Sequence, residues 1–283
     1  MSEPDAVDPK PLASIVIPVY NGMPYLTEAV ESALAQDYEP LEIVVIENGS
    51  TDGSADWLRS LDDPRLRVLY RDVTQPAGEN WTQAIGESRG AFVKLMCADD
   101  LIAPNAVAAQ VASLQAAPTA VLAASRRRVI DGTGKVIRPR HGLNHLQGEV
   151  SAEMALRDCA LAGTNTLGEP AAVMFRGDAA RAAMPWDDRW PYMIDVATYG
   201  EMLRSGGAVC DHAVLAAFRV SGTSWSSSLI GKQRTQFRGW RDSLVAEGRF
   251  RWGALDRARS EAALAARTAG RRVHFWLAAR RER

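Results

Sequence analysis

The runs Ala13-Ser14-Ile15-Val16-Ile17-Pro18-Val19 and Leu41-Glu42-Ile43-Val44-Val45-Ile46 constrain this chain most. Both are short, β-branched and almost continuously apolar, with no alternation of wet and dry faces. Strands of that kind are covered on both sides, which in a water-soluble fold means a parallel sheet layered between helices. The residues between them have helical spacing: Tyr25-Leu26, Ala29-Val30 and Ala33-Leu34 fall on one face, and Pro24 suits a first turn. The alternation continues with a helix around Ala55 to Ser60, a strand around Leu66 to Tyr70, a helix around Glu79 to Ser88 and a strand from Ala91 to Met96. This spacing predicts βαβ units with right-handed crossovers.

Past a helix expected from Asn105 to Ala116 the pattern changes. Val121 to Ile130, a turn at Asp131-Gly132-Thr133-Gly134 and Lys135-Val136-Ile137 read as an antiparallel hairpin. A strand at Ala171 to Arg176, a helix from about Asp195 to Leu203, and strands near Val209 and at Leu215 to Val220 follow. The second half of the sheet is therefore expected to be mixed. With no internal repeat and no low-complexity linker, one continuous domain with a helical tail is expected rather than two domains.

Of the 283 residues 47% are apolar, enough for a proper core. No run of about 18 apolar residues occurs, and Met1-Ser2-Glu3-Pro4-Asp5 is unlike an export signal, so a cytoplasmic location is expected. Cys97, Cys159 and Cys210 are odd in number, far apart and in no C-x-x-C pair, which argues for reduced thiols rather than disulfides or a zinc site. Charge is uneven. From Lys232 to Arg283 fourteen Lys or Arg stand against five Asp or Glu, leaving nineteen of the 33 basic and twenty-nine of the 34 acidic residues in the body. Such a tail either seeks an anionic surface or is a solvated helix face.

The strand ending at Met96 runs into Cys97-Ala98-Asp99-Asp100. Ligands of open α/β sheets bind beyond the carboxyl ends of the strands, so this acid pair would stand at a crevice; equally, two Asp residues before Pro104-Asn105-Ala106 are a usual helix cap or turn. The chain lacks the common phosphate loops. Val19-Tyr20-Asn21-Gly22-Met23-Pro24 has one glycine and no G-x-G-x-x-G, and Gly134-Lys135 lacks both the earlier glycine and the following Ser or Thr of a P-loop. A dehydrogenase is disfavoured. A nucleotide diphosphate would then be neutralised by Mg²⁺ or Mn²⁺, which use one or two carboxylates, waters and phosphate oxygens.

Three segments, in order, carry a resemblance: Ser14 to Gly22, Ile46-Glu47-Asn48-Gly49-Ser50-Thr51-Asp52-Gly53-Ser54, and Gly90 to Asp100. Together they resemble a family-2 glycosyltransferase of the GT-A fold, an α/β fold with a Rossmann-like, mostly parallel sheet. The resemblance covers roughly Ser14 to Trp225. It implies an inverting transfer of sugar from a UDP-, GDP- or dTDP-sugar to a glycan or lipid-linked acceptor, assisted by Mg²⁺ or Mn²⁺, in assembly of a surface polysaccharide. No nucleic-acid partner is implied. Residues 1–12 would be an N-terminal tail, 13–230 the transferase domain with a nucleotide-binding half (13–104) and an acceptor-binding half (105–230), and 231–283 a basic helical tail.

By the same resemblance Pro18, Tyr20, Asn21, Glu47 and Asn48 would cradle base and ribose, Tyr20 offering a ring and Glu47 and Asn48 hydrogen-bonding groups. Gly49 to Gly53 would at the same time form a turn and helix cap. Asp99 would face the ribose or the cation and Asp100 would ligate the cation. Cys97 stands where relatives commonly have the first acid of a D-x-D-D sequence, and Ser221 where a His often follows Arg219; a thiol and a hydroxyl are weaker ligands, so the cation would lean on Asp100 and the diphosphate. Arg219 would assist with phosphate charge. Asp195, in Pro191-Tyr192-Met193-Ile194-Asp195, would be the base that takes the acceptor proton, the other possibilities being a plain helix cap there or a base at Asp187 or Asp188. Trp81, which with Asn80 and Lys94 marks a subgroup, would touch the donor sugar or pack inside, and Lys94 would be a contact of donor or acceptor. Asn165 and Glu169 are candidates to line the acceptor pocket, and Trp225 to stack on a sugar or close over the donor. Arg271 to Arg281, short, helical in spacing and flanked by cations, would lie on an anionic bilayer on the inner membrane surface or pack against protein. The rival activities are a catalytically silent nucleotide-sugar-binding scaffold and a nucleotidyltransferase, the latter disfavoured by the missing Gly-rich basic loop.

Overall fold

Strands β1 (Ala13–Val19) and β2 (Leu41–Glu47) are buried almost throughout and pair in parallel, Ala13 opposite Leu41 and Val19 opposite Glu47. The computed structural model describes residues 10–186, 188–221 and 229–281. Alternate side chains of β1 serve two cores. Ile15 and Ile17 join α1 (Leu26–Leu34) and α4 (Ala106–Ala116) on one face, and Val16 joins α3 (Ala77–Gly86) on the other. Burial on both faces is why these strands carry no polar alternation. The first helix begins after Pro24 rather than around it, with Tyr25 at its N-cap.

The chain moves outward from β1 to β2 and β3 (Leu66–Tyr70), with α2 (Ser54–Arg59) between them. It then returns through α3 to β4 (Phe92–Leu95) on the other side of β1, again in parallel. That reversal between β1 and β4 opens the crevice in which open α/β sheets bind ligands. Asp99 and Asp100 lie just beyond β4, and β5 (Leu101–Ile102) separates them from α4, whose N-cap is Asn105. The acid pair therefore caps no helix.

The second half is mixed, as expected. β6 (Ala120–Asp131) and β7 (Val136–His141) form the antiparallel hairpin, and β9 (Val173–Arg176) runs antiparallel between β4 and β6. The order is β3-β2-β1-β4-β9-β6-β10-β5, with β7 on β6 and β8 (Gly148–Val150) on β10 (Gly207–Val220). The two strands expected near Val209 and Leu215 are one strand, β10, whose register with β6 slips between Asp211 and Val214. Two helices come without expectation: α5 (Ala152–Ala162), capped by Ser151 Oγ accepting from Met154 N at 3.1 Å, and α6 (Gly177–Ala182). The helix expected at Asp195 is α7 (Ile194–Met202).

Lys94 is inside the sheet and fully buried. Its Nζ donates to Ala171 O (2.8 Å) and Val173 O (2.9 Å), and burial lowers its pKa to about 7. The side chain bridges β4 to the 3₁₀ turn Pro170–Ala172 where the short β4–β9 ladder stops, so these bonds commit it to scaffolding instead of the donor contact expected of it.

The C-terminal helices α8 (Gln233–Ala246) and α9 (Ala254–Arg281) are joined to the body. Phe237, Trp240, Leu244, Phe250 and Leu264 belong to the same apolar cluster as Phe175 and Tyr199. Arg241, buried in α8, donates to Ser260 Oγ and Glu261 (both 3.0 Å), and Ser260 Oγ donates to Ala160 O (2.7 Å). The other end of α8 meets the segment before α7: Tyr192 N donates to Gln236 Oε1 (2.6 Å), and the Trp190 ring fills a notch that a side chain at Gly239 would occupy. Among the described residues no helix is long and apolar enough to cross a membrane.

Candidate active site

Parallel pairing brings the ends of β1, β2 and β4 to one edge of the sheet, and the antiparallel β9 brings its beginning there. The loops after β1 and β2 are locked to each other. Asn21 adopts φ 49°, donates from its backbone to Ser50 Oγ (2.9 Å) and accepts from Thr51 N (2.9 Å); Asp52 accepts from Met23 N (2.8 Å) and Ser54 N (3.0 Å). Burial opposes ionisation of Asp52, but these bonds prevail and lower its pKa. Glu47 closes the Gly49 turn by accepting from Ser50 N (2.7 Å), while Asn48 exchanges two bonds of 2.9 Å with the backbone of Gln75. Both side chains are 2% exposed, so in this structure they build the rim of the crevice. Pro18 is buried within β1; Tyr20, 53% exposed at its end, presents its ring.

Asp100 is fully buried. Oδ1 accepts from Arg219 N (3.0 Å) and Oδ2 has no partner among the described residues. One oxygen each from Asp99 and Asp100 and Sγ of Cys97 lie within 4.8 Å of one another. Burial raises both carboxyl pKa values, that of Asp100 well above the usual range, with the Asp99 charge adding to it. Burial, and then the charges of Asp100, Asp99, Asp195 and Glu169, push the Cys97 thiol up as well. An orphaned buried carboxylate oxygen beside a second carboxylate fits a hard divalent cation, and the neutral thiol is a poor third ligand.

Arg219, the candidate for phosphate charge, lies inside the fold. It is 1% exposed, its Nε donates to Asp99 O (2.9 Å), Nη2 to Glu28 (2.8 Å), and the guanidinium lies 4.5 Å from the Tyr25 ring centre. It braces the acid pair from beneath. Ser221 is buried at the end of β10 beside Gly132.

Asp195 sits in the first turn of α7. Its Oδ1 accepts from Val196 N (2.7 Å) and its Oδ2 from Asn165 Nδ2 (2.8 Å). Burial raises its pKa to about 6, against the lowering effect of those two bonds. A group titrating there is ionised at neutral pH yet basic enough to take a proton, a usual compromise for a general base. Asn165 also binds Gly168 in both directions, donating to O (2.7 Å) and accepting from N (3.1 Å), and Glu169 pairs with Arg127. Trp81 packs edge-to-face on Trp186 at 5.2 Å, which places it against the core. Asp188 lies against Gly78; Asp187, Trp225 and the side chains of Arg271 to Arg281 are outside the described residues.

Two members of this site were not expected from sequence. Arg127, 1% exposed, is the middle of Arg126-Arg127-Arg128 in β6, and strand alternation alone sends it to the face opposite its neighbours. Tyr199, one turn along α7 from Asp195, is fully buried, its hydroxyl without a partner among the described residues; burial, then the charges of Asp195 and Glu169, raise its pKa well above the usual value.

Comparison with known proteins gives this geometry a lineage. The glycosyltransferase GlyG of Streptococcus pneumoniae is 33% identical over 98 residues, 34% of this chain and 33% of that protein. The succinoglycan biosynthesis protein ExoO of Rhizobium meliloti is 29% identical over 135 residues, 48% of this chain and 38% of that protein. The match thus spans little more than a third of these curated relatives. Among solved structures, the mannosyltransferase PcManGT from Pyrobaculum calidifontis, in complex with GDP-Man and Mn²⁺, superposes with a TM-score of 0.60 at 17% identity, covering 93% of this chain and 76% of that one, a likeness of GT-A fold. The profile of Glycosyl transferase family 2 matches residues 14–177, more than half of the chain. The chain belongs to glycosyl transferase family 2.

Proposed function

We propose that this protein transfers a sugar from a nucleotide-sugar donor to a hydroxyl of a glycan or lipid-linked acceptor, with inversion at the anomeric carbon. The observation that carries the reading is the cluster of Cys97, Asp99 and Asp100 just past β4, with Asp100 Oδ2 buried and without a partner among the described residues. Asp100, with Asp99, would hold Mg²⁺ or Mn²⁺. The bound cation would act as Lewis acid toward the departing diphosphate, worth on the order of several kcal/mol.

The chain's own residues do the rest. Tyr20 offers a stacking face for the base above the rim built by Asn21, Glu47 and Asn48. Arg219 holds Asp99 and Asp100 in register through its amide and guanidinium. Asp195, oriented by Asn165, takes the proton of the acceptor hydroxyl as the new C–O bond forms and the bond to the phosphate oxygen breaks. Kinship with a succinoglycan biosynthesis protein supports a place in surface polysaccharide assembly, and the basic C-terminal segment would meet an anionic membrane on the cytoplasmic side. Binding without turnover is the second reading, favoured by one observation: a neutral thiol stands where relatives commonly have an acid.

The test is release of nucleoside diphosphate from a panel of UDP-, GDP- and dTDP-sugars by the full chain with Mn²⁺ or Mg²⁺. Turnover of one donor that stops when the cation is chelated is the expected result. Binding of a donor with no release under any condition would establish the second reading.

A further inference from the structure

Arg127 is an arginine in the middle of a sheet. Its neighbours in register are Ala216 of β10 and His141 of β7, and its ion-pair partner, Glu169, is one-quarter exposed. The surroundings are cut to the guanidinium. A side chain at Gly142 (φ 98°) would collide with Nη1, and one at Gly168 (φ 125°) would come within 3.3 Å of it. Both glycines hold backbone conformations other residues rarely adopt, so the loop conformation and the room for the arginine come together. Glu169 follows Gly168, and Gly168 is bound in both directions by Asn165, whose amide holds Asp195. Arg127, Glu169, Gly168, Asn165 and Asp195 are thus links of one chain of contacts.

We propose that Arg127 is a positioning residue for Asp195: by clamping Glu169 it fixes the 165–169 loop, and through Asn165 it fixes the direction and the charge of the acceptor-side carboxylate. This rests on the reading of Asp195 as the base. The division of labour is symmetrical. Arg219 braces the acid pair after β4, and Arg127, from the parallel neighbour of β10, braces the carboxylate before β9. His141 does not compete for Glu169: burial first, and then the charge of Arg127, push its pKa down to about 4, so it is neutral at physiological pH. Among the described residues the charges of Glu169 and Arg127 act on Asp195, and Asp195 in turn acts on Cys97 and Tyr199. Of these only Arg127 is a cation.

The test uses the full chain with ¹³C-labelled aspartate side chains. The Asp195 resonance is assigned by its loss in Asp195→Asn, then titrated in wild type, Arg127→Met and Glu169→Gln. A charge-positioning role predicts shifts of opposite sign: up by about one pH unit in Arg127→Met, which removes a cation, and down in Glu169→Gln, which removes an anion. Shifts in the same direction, or none, overturn the proposal. If Arg127→Met does not fold, the isosteric Glu169→Gln decides by the sign of its own shift. With a donor found in the panel, both variants should lose about tenfold or more in kcat, with donor KM within about twofold. A wild type that turns over no donor would defeat the transferase reading and leave the titration to judge Arg127 alone.

Discussion

The two halves of the crevice solve the same problem, holding polar groups at a sheet edge, by different means. In the loops after β1 and β2 the side chains satisfy one another over short distances: Asn21 with Ser50 and Thr51, Asp52 with Met23 and Ser54, Asn48 with Gln75. Past the end of β4 and before the start of β9 acidic residues are held by buried arginines distant in sequence, Arg127 at Glu169 and Arg219 at Asp99. Local bonding gives a rigid rim at little electrostatic cost. Buried charge gives perturbed acidity, which is what bond-making chemistry requires.

The contrast is most exposed to Asp195→Asn. Transfer should fall by roughly 10²- to 10⁴-fold while donor affinity stays within about twofold by calorimetry. Normal transfer would put the chemistry elsewhere. Asp100→Asn should cost about a hundredfold in rate and abolish the cation-dependent rise in melting temperature that nucleotide produces in wild type; a variant that still responds to Mn²⁺ would remove Asp100 from the cation site.

Acidity gives a third handle, and two signs follow from the Asp195 pKa of about 6. As a base Asp195 acts when ionised, so kcat/KM should fall about tenfold per pH unit below about 6. For stability the raised pKa works the other way. The folded protein keeps a proton that the unfolded chain has lost above about 4, so this contribution is full below about 4 and lost as pH rises through about 6. The cost of ionising the buried group is roughly 3 kcal/mol, and Asp195→Asn should recover part of it in denaturant titrations at pH 8. Equal stability of the two proteins at pH 8 would contradict the burial.

Tyr20→Ala belongs to the donor half and should raise donor KM by about tenfold with kcat little changed, the size of one stacking contact. Trp81→Phe should be smallest, within about twofold in either constant, because the ring packs on Trp186. A large effect there would move Trp81 from the core to the sugar.

What was legible in the sequence follows the same division. Ile15 to Val19, Ile43 to Ile46 and the acid pair are contiguous patterns, and their strands, order and edge position could be read directly. The 121–137 hairpin was legible from its Gly-rich turn. The pairing of Arg127 with Glu169 was not, since forty-two positions separate them and only β9 running antiparallel brings them together. Nor was the commitment of Lys94 to two carbonyls, because a lysine in an apolar strand carries no mark of what it faces. The continuous β10 was hidden by Asp211-His212-Ala213, which reads as a break and is where the register slips.

The notch at Gly239 has a consequence for inheritance. The family profile ends at residue 177, before α7 and the helices that follow it. The Trp190 wedge and the Tyr192–Gln236 bond fasten the approach to Asp195 onto α8, and Arg238 and Arg241 fasten α8 to α9 through Glu261. A splice that exchanged this C-terminal pair for another protein's would loosen the approach to Asp195 while leaving the bonds among the loops after β1 and β2 whole.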